Sequence, residues 1–378
     1  MNLELTEDQE FFRDTTRKFL STEVPLSAVR ELYEDHDGFD RDWWREAAQL
    51  GWTSLFIPEN LGGGSLSGRP TSDAVIVAEE MGRLVSPGPF LPVNVVAAAL
   101  AWFGSPPEHD DVLSALLTGD AVATWAFCEP GRPWDPGAIE TSARIEGNDF
   151  VLDGDKAYVE AIGAAEHVLV TARSQEGLTN VLVPVDAPGV SVTRGRSIDM
   201  TRRFGTVVLR EARVPTSSVL GEVGEGDLAV ERLRTLALAL QCAEMVGVAD
   251  RTLEFTLEYG ADRFAFGRPV VSFQALKHRI ADMTVALEGC KAVSDDLATA
   301  VDEQRPDASR LASVAKAYIG EHCLDIVDDC VQITGGIGVT WEHDIHLYNR
   351  RAVVDRAVYG TPEEHKARLY SLLQGEAS

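Results

Sequence analysis

The sequence predicts an α+β protein built as a helical segment, a β segment and a second helical segment, and two observations carry that prediction. Apolar residues recur at three- and four-residue spacing through the first and last thirds of the chain, whereas the stretch between them is a series of short β-branched or aromatic runs separated by turn residues. The texture changes near Ala121 and again at Gly221, Gly224 and Gly226, which places the segments at residues 1–120, 121–223 and 224–378. The first reads as a helical domain, the middle as a small β-barrel-like domain, and the last as a four-helix bundle.

The elements follow in order. Thr6 with Gln9 three residues later has the pattern of a capping box, and Phe11, Phe12, Thr15 and Phe19 continue at near-helical spacing. Pro58 and Gly62 to Gly64 mark a loop; Val75, Val77, Met81 and Leu84 resume the helical pattern as far as Pro87 and Pro89, and Val93 to Phe103 reads as a buried helix. Strands are expected over 121–128, 141–145, 150–152, 167–172, 180–185, 190–193 and 206–209, with turns at Glu146 to Asp149 and Asp153-Gly154. Asp227 is placed to cap the helix that follows. Beyond it, Leu276, Ile280, Met283, Leu287 and Cys290 share one helix face, as do Val314 and Tyr318, and later Ile326, Cys330 and Ile333, and each set is expected to be buried.

Composition limits the function. The chain has 378 residues, 45% hydrophobic and 25% charged, the balance of an ordinary globular protein. Its 34 basic and 60 acidic residues leave a formal charge of −26, which argues against nucleic-acid and membrane-surface binding and requires any anionic ligand to find a locally basic pocket. Five cysteines without CxxC pairing, an acidic N-terminus and a longest apolar run of only Val95 to Phe103 point to a reducing cytoplasmic location, with no leader or membrane span expected.

Several motifs carry little. Gly62-Gly63-Gly64-Ser65 lacks the Gly-Lys-Ser/Thr of a phosphate loop, and His343 and His346 have no evident third ligand, so no metal site is expected. Neither Gly-x-Ser-x-Gly nor His-Glu-x-x-His occurs. Two loops carry more. Arg263-Phe264-Ala265-Phe266-Gly267-Arg268 with Phe273-Gln274 combines a guanidinium suited to phosphate with aromatic rings and an amide. Gln332-Ile333-Thr334-Gly335-Gly336-Ile337-Gly338 closes a helix in a glycine cluster whose N–H groups can cradle a pyrophosphate.

With these loops stand Leu5-Thr6-Glu7-Asp8-Gln9, Leu50-Gly51-Trp52, Ile57-Pro58-Glu59, Gly62-Gly63 and Glu129-Pro130-Gly131. In that order, over nearly the whole chain, they resemble the acyl-CoA dehydrogenase family of flavoproteins. The resemblance implies a three-domain subunit, FAD held between the β domain of one subunit and the helical domain of its neighbour, and oxidation of an acyl-CoA thioester to its 2,3-enoyl product. A glutamate base takes the α-proton while a hydride leaves the β-carbon. By the same resemblance Arg263, Phe266, Gln274, Gln332, Gly335 and Gly336 reach the neighbour's FAD, and electron-transfer flavoprotein is the acceptor.

The sequence departs from that pattern at the base and around the flavin ring. Where the family reads Tyr-Glu-Gly-Thr, this chain reads Val358-Tyr359-Gly360-Thr361, and the alternative base position is Ala237. A phenol with the ordinary pKa of about 10 is on the order of one part in a thousand ionised at neutral pH, so Tyr359 is a poor general base. Glu244, two turns along the same helix, reads as a structural or surface acid. Cys128 replaces a hydroxyl residue, Pro133-Trp134 replaces a small pair, and Glu160 places a carboxylate where negative charge arrives on the ring, which opposes reduction. The family's CoA-facing arginine is Leu238 here, with Arg234 one turn earlier.

This distribution resembles the degenerate partner subunit of heteromeric, α2β2 acyl-CoA dehydrogenases, whose companion chain supplies the base, as does the stretch Gly338 to Asp344. A homotetramer with an unrecognised base and a non-enzymatic acyl-CoA-binding or structural subunit are the alternatives. The acyl group is not legible.

Overall fold

The computed structural model describes residues 5–34, 38–105 and 107–376. Eleven α-helices are found among them: α1 Glu7–Glu23, α2 Leu26–Val29, α3 Arg41–Gln49, α4 Pro70–Arg83, α5 Phe90–Phe103, α6 Asp110–Leu117, α7 Gly226–Asp262, α8 Gln274–Asp302, α9 Ala308–Thr334, α10 Ile345–Ala357 and α11 Pro362–Glu376. The strands are β1 Ala123–Ala126, β2 Ser142–Glu146, β3 Asp149–Glu160, β4 His167–Arg173, β5 Leu178–Pro184, β6 Val190–Arg194, β7 Phe204–Pro215, β8 Val219–Leu220, β9 Phe264–Ala265 and β10 Arg268–Pro269. The helical, β, helical order holds. Two compact units emerge: Met1–Arg30, Val75–Ser86 and Leu238–Ser378 form one, and Glu31–Ala74 with Pro87–Ala237 the other.

In the first unit the long helices pack on one another, with α8, α10 and α11 all against α9. Two glycines let α4 and α7 touch backbone to backbone: a Cβ on Gly82 would lie 2.0 Å from the Glu244 carbonyl, and one on Gly247 2.0 Å from the Glu79 carbonyl. Around that contact Arg17 grips Glu80 through two bonds of 2.8 and 2.6 Å, and Lys291 meets Asp250 at 2.8 Å. The capping box of α1 is present, with Gln9 N–H donating to Thr6 Oγ1 at 3.2 Å and Thr6 N–H to Gln9 Oε1 at 3.1 Å. None of Phe11, Phe12, Thr15 and Phe19 is buried: Phe11 is exposed and the other three are half-buried, while Leu20 and Thr16 face the core instead.

The periodic sets of the long helices are corrected in the same way. Met283, Leu287 and Cys290 are buried, but Leu276 and Ile280 are half-exposed, as are Val314, Tyr318 and Ile333. No residue of α8 before Met283 is buried, so its first turns lie outside the core that the rest of the helix joins. All five cysteines are buried, and burial pushes the thiols of Cys242 and Cys290 up to about 12. These two are core residues without nucleophilic character.

In the second unit the helices close over an aromatic cluster in which Trp43, Trp52 and Phe90 meet edge to face at 6.1–6.2 Å. Every residue of α5 from Phe90 to Leu100 is buried, as the apolar run requires. The strands form one sheet in the order β6-β7-β3-β2-β4-β5-β8, with β1 added beside β4. The expected barrel-like closure is not found among the described residues. The sheet's two halves are joined by the Ser142–Arg173 pair and by Ala157 N–H donating to the Cys128 carbonyl at 2.9 Å, and the far edge, β8, is two residues long, too short to close a circuit. Asp227 is not the cap of α7; the helix starts at Gly226 and the carboxylate sits in its first turn, where the helix dipole favours it.

Candidate functional site

The residues expected to hold a dinucleotide all lie in the first unit. Arg263 directly follows α7, and the chain then folds into a minimal hairpin, β9 to β10, whose two loop residues both take the left-handed conformation, Phe266 at φ 51° and Gly267 at φ 80°. That turn suits the twist of a hairpin but is strained for phenylalanine. It projects the Phe266 ring into solvent, 97% exposed. Behind it Phe273 stands edge-on to Phe266 at 6.2 Å and carries the Arg268 guanidinium 4.0 Å above its face.

Gln274 opens α8, whose preceding residue gives no side-chain cap, so its first N–H groups are available to an anion. Arg263, Arg268 and Lys277 make this end of α8 locally basic in a chain of net charge −26. Arg263, Gln274 and Gln332 are exposed and form no ion pair or side-chain hydrogen bond among the described residues.

The second loop is brought alongside by the helical hairpin. Because α8 and α9 run antiparallel, the start of α8 and the end of α9 share one end, pinned by Arg279 to Asp329 at 2.7 Å. Gln332 is in the last turn of α9. Gly335 then takes φ 68° and ψ −145°, a region closed to other residues, and a Cβ on Gly335 or Gly336 would meet nothing within 4 Å. The pair therefore leaves open space with exposed backbone, the shape of a cradle.

The two expected base positions are buried and carry no carboxylate. Tyr359 is 6% exposed with φ 60°, and Ala237 is fully covered on α7. Glu244 is held by the buried Arg351 guanidinium, which also donates to the Ser86 carbonyl at 3.3 Å. It is a structural acid, as its position in the sequence suggested.

The positions of the second unit expected to face the ring carry an aromatic stack. Trp134 lies 6.3 Å from Phe127 in a stacked arrangement and 6.3 Å from Tyr158, while Trp125 adds a further ring 4.9 Å from Phe127. Tyr158 takes φ 54° where the β3–β7 register shifts between Lys156 and Val159. The segment Phe127 to Glu129 is fastened from beneath by Lys156, wholly buried, which donates to the Phe127 carbonyl at 3.1 Å and to Glu129 Oε1 at 3.0 Å. Burial pulls the Lys156 ammonium down to about 8 against the pull of Glu129. Burial opposes the charge on Glu129, yet Lys156 and the N–H groups of Thr141 and Glu140 outweigh it and hold its carboxyl below the usual range.

Glu160, expected to oppose reduction of the ring by its charge, does not stand alone. Arg202 grips it with Nε at 2.8 Å and Nη2 at 3.2 Å, both residues being buried, so the charge is neutralised where it stands. In the Gly62 to Gly64 turn only Gly63 is tightly packed: a Cβ there would lie 2.3 Å from Ile57, whereas Gly62 and Gly64 have nothing nearer than 3.9 Å. His343 sits against Phe255 at 5.1 Å and His346 stacks on Trp341 at 5.1 Å, and no metal-binding group is found among the described residues.

The N-terminal, middle and C-terminal domain models of acyl-CoA dehydrogenases match residues 6–120, 124–209 and 225–371. The acyl-CoA dehydrogenase IpdE2 of Mycolicibacterium smegmatis is 31% identical over 367 residues, 97% of this chain and 98% of its own. The chain belongs to the acyl-CoA dehydrogenase family. Two solved acyl-CoA dehydrogenase-like assemblies are similar throughout: the steroid ACAD Tcur3481-Tcur3483, at 29% identity, TM-score 0.89 and coverage of 98% of this chain and 99% of that one, and the ChsE4-ChsE5 complex of Mycobacterium tuberculosis, at 28%, 0.88 and 99% of each.

Acyl-CoA dehydrogenases are FAD-dependent oxidoreductases acting on CH–CH bonds. The residues at the end of the helical hairpin fit a dinucleotide: an unpaired guanidinium and an uncapped helix start answer the pyrophosphate, and the open glycines admit it. The Trp134 and Glu160 positions fit an isoalloxazine poorly, since an aromatic stack and a buried ion pair already fill them. Sequence reasoning missed Arg202, whose only signal was an arginine pair in a stretch leading into β7, and Lys316, a wholly buried ammonium that donates to Gln241 Oε1 at 2.6 Å and to the Val358 carbonyl at 2.9 Å.

Proposed function

We propose that this chain is the base-lacking subunit of a heteromeric acyl-CoA dehydrogenase, lending one half of an FAD site to a companion chain that supplies the other half and the catalytic glutamate. The observation that carries this is a contrast within one molecule. Arg263, Phe266, Gln274, Gln332, Gly335 and Gly336 are exposed toward a ligand, whereas Tyr359, Ala237 and the Glu160–Arg202 pair leave neither a base nor an open ring face. Two similar solved structures carry two-component names, which supports a two-chain assembly.

Arg263 and the start of α8 would neutralise the pyrophosphate, Gln332 would donate to it, and Phe266 would cover the dinucleotide from the solvent side. Bound there, FAD would supply the hydride acceptor for the thioester's β-carbon. This chain's contribution is to hold and orient the cofactor and to exclude water; proton abstraction belongs to the companion. Electron-transfer flavoprotein is the acceptor the family resemblance supports, and no helix among the described residues is long and apolar enough to cross a membrane.

The test is the visible spectrum of the chain purified alone and with a companion encoded beside it. A colourless chain that joins a yellow complex with one flavin per pair is expected, with no acyl-CoA turnover by the chain alone. A yellow chain that by itself turns over thioesters at the ordinary enzyme scale of roughly 1–1000 s⁻¹ sinks the proposal. A chain colourless in every setting leaves a structural subunit.

A further inference from the structure

The seam where α4, α7 and α8 meet holds a carboxyl for which no cation is left. Each cation that reaches the seam is taken. Arg17 of α1 is on Glu80 at 2.8 and 2.6 Å, and Arg83 of α4 is on Asp250 and, at 2.6 Å, on Glu254. Arg251 of α7 is on Glu254 and Glu258, each at 3.1 Å, and Lys291 of α8 is on Asp250 at 2.8 Å and Glu288 at 3.1 Å. Glu79 stands one turn before Arg83 on the same face of α4, and its backbone carbonyl is the group that Gly247 admits. It is half-buried, and its carboxyl forms neither an ion pair nor a hydrogen bond among the described residues.

A carboxylate partly withdrawn from water without a counter-charge is costly, and the same group carrying a proton is far less so. The Gly82 and Gly247 contacts seat α4 directly on the backbone of α7, so full hydration of the charge requires the two helices to part. We propose that this seam is a proton-linked latch on α4, closed with a proton on Glu79 and loosened when that proton passes to water. Residues 75–86 are the only part of the chain between residues 31 and 237 that belongs to the first unit, so the latch sets how firmly that segment is held there. It does not depend on how a flavin is shared between chains. Burial first, and then the charges of Glu80 and Asp250, push the Glu79 carboxyl up from the ordinary 4.5 to about 7, against the pull of Lys291 and Arg83. Burial opposes the charges of Lys291 and Arg251, yet Asp250 for the first and Glu258 with Glu254 for the second outweigh it and hold both above their ordinary ranges, as Glu80 holds Arg17. Tyr348 of α10, whose hydroxyl donates to the Arg83 carbonyl at 2.8 Å, is raised by burial, and so is Asp295, one turn beyond Lys291. A carboxyl raised in the fold supports it fully below the ordinary value and loses that support as pH climbs through the raised one, so the latch weakens from about 4.5 to about 7.

Hydrogen exchange of the full-length chain, followed by mass spectrometry and corrected for the intrinsic pH dependence of exchange, reads the opening of residues 75–86 and 244–254. In the wild type the opening equilibrium of both segments should rise roughly tenfold between about pH 6 and about pH 8, as linkage to a carboxyl moved from 4.5 to about 7 requires. Glu79→Gln keeps the shape of the protonated group and removes the titration, so its opening should stay level over the same range; comparison of the two proteins cancels the contribution of Asp295 and of every other group. A second reading needs no variant. With isotope-labelled glutamate, the infrared carbonyl band of a protonated carboxyl should be present in the wild type near about pH 6 and gone by about pH 9. A wild-type opening that is flat across the range, an equal rise in Glu79→Gln, or the absence of a protonated glutamate band near about pH 6 overturns the latch.

Discussion

Arg263 and Arg202 are both arginines in regions expected to face a flavin, and they live in opposite circumstances. Arg263 is exposed at the end of α7 without an ion pair among the described residues, and Arg202 is buried, with both its Nε and Nη2 on Glu160. A guanidinium kept in water with nothing to pair is inexpensive to the fold and ready for an anion, while one taken out of water must bring its counter-charge with it. The difference separates a surface that waits for a ligand from one that has completed itself.

The largest expected effect lies on the completed side. Arg202→Met removes one member of a buried pair and strands the Glu160 carboxylate, which should cost about 3–5 kcal/mol of stability. Adding Glu160→Leu to that variant removes the stranded charge and should recover most of the loss. Chemical denaturation of the two variants checks this. A single variant as stable as the wild type would mean that Arg202 is not carrying the charge balance of that face.

How much of this was legible in the sequence follows from the distance between partners. The dinucleotide half could be read because Arg263 to Gln274 and Gln332 to Gly336 are contiguous stretches whose residue types state their chemistry. The Glu160–Arg202 pair spans 42 residues and depends on β3 lying against β7, so Glu160 alone looked like a free anion. The same strands show why their lengths were underestimated. Each is 12 residues long, but Asp153, Gly154, Asp155 and Lys156 interrupt the alternation in β3, and the pairing shifts register at two places. Lys156 is polar by type and wholly buried in fact, because Glu129 and the Phe127 carbonyl receive its ammonium. The half-exposed Leu276 and Ile280 were misread for a different reason: periodicity marks an apolar face without saying what covers it.

On the waiting side the effects should be smaller and should appear in ligand binding rather than in folding. Arg263→Ala is expected to weaken flavin retention by the reconstituted complex by roughly 1.5–3 kcal/mol, on the order of ten- to a hundredfold, with the thermal midpoint of the isolated chain unchanged. Gel filtration of the complex followed by flavin absorbance measures it. A fall in the midpoint of the isolated chain would show that Arg263 has a structural partner after all. Gln332→Ala loses a neutral contact, and roughly 0.5–1.5 kcal/mol in the same assay is the expected size. An effect of Gln332→Ala larger than that of Arg263→Ala would mean that the glycine loop, and not the charge, anchors the cofactor.

The smallest effect is expected at Tyr359. A phenol with the ordinary pKa of about 10 is a poor base at neutral pH. Tyr359→Phe keeps the ring, the burial and the left-handed backbone, and gives up only the hydroxyl. Flavin content and turnover of the complex should therefore match the wild type within about twofold, less than 0.5 kcal/mol. The variant separates two explanations of the same buried tyrosine. If the ring alone matters, the phenylalanine enzyme is indistinguishable from the wild type. If the hydroxyl takes part in chemistry, Tyr359→Phe abolishes turnover, and with Arg263→Ala still retaining flavin the division of labour between two chains would have to be abandoned in favour of an enzyme that works through its tyrosine.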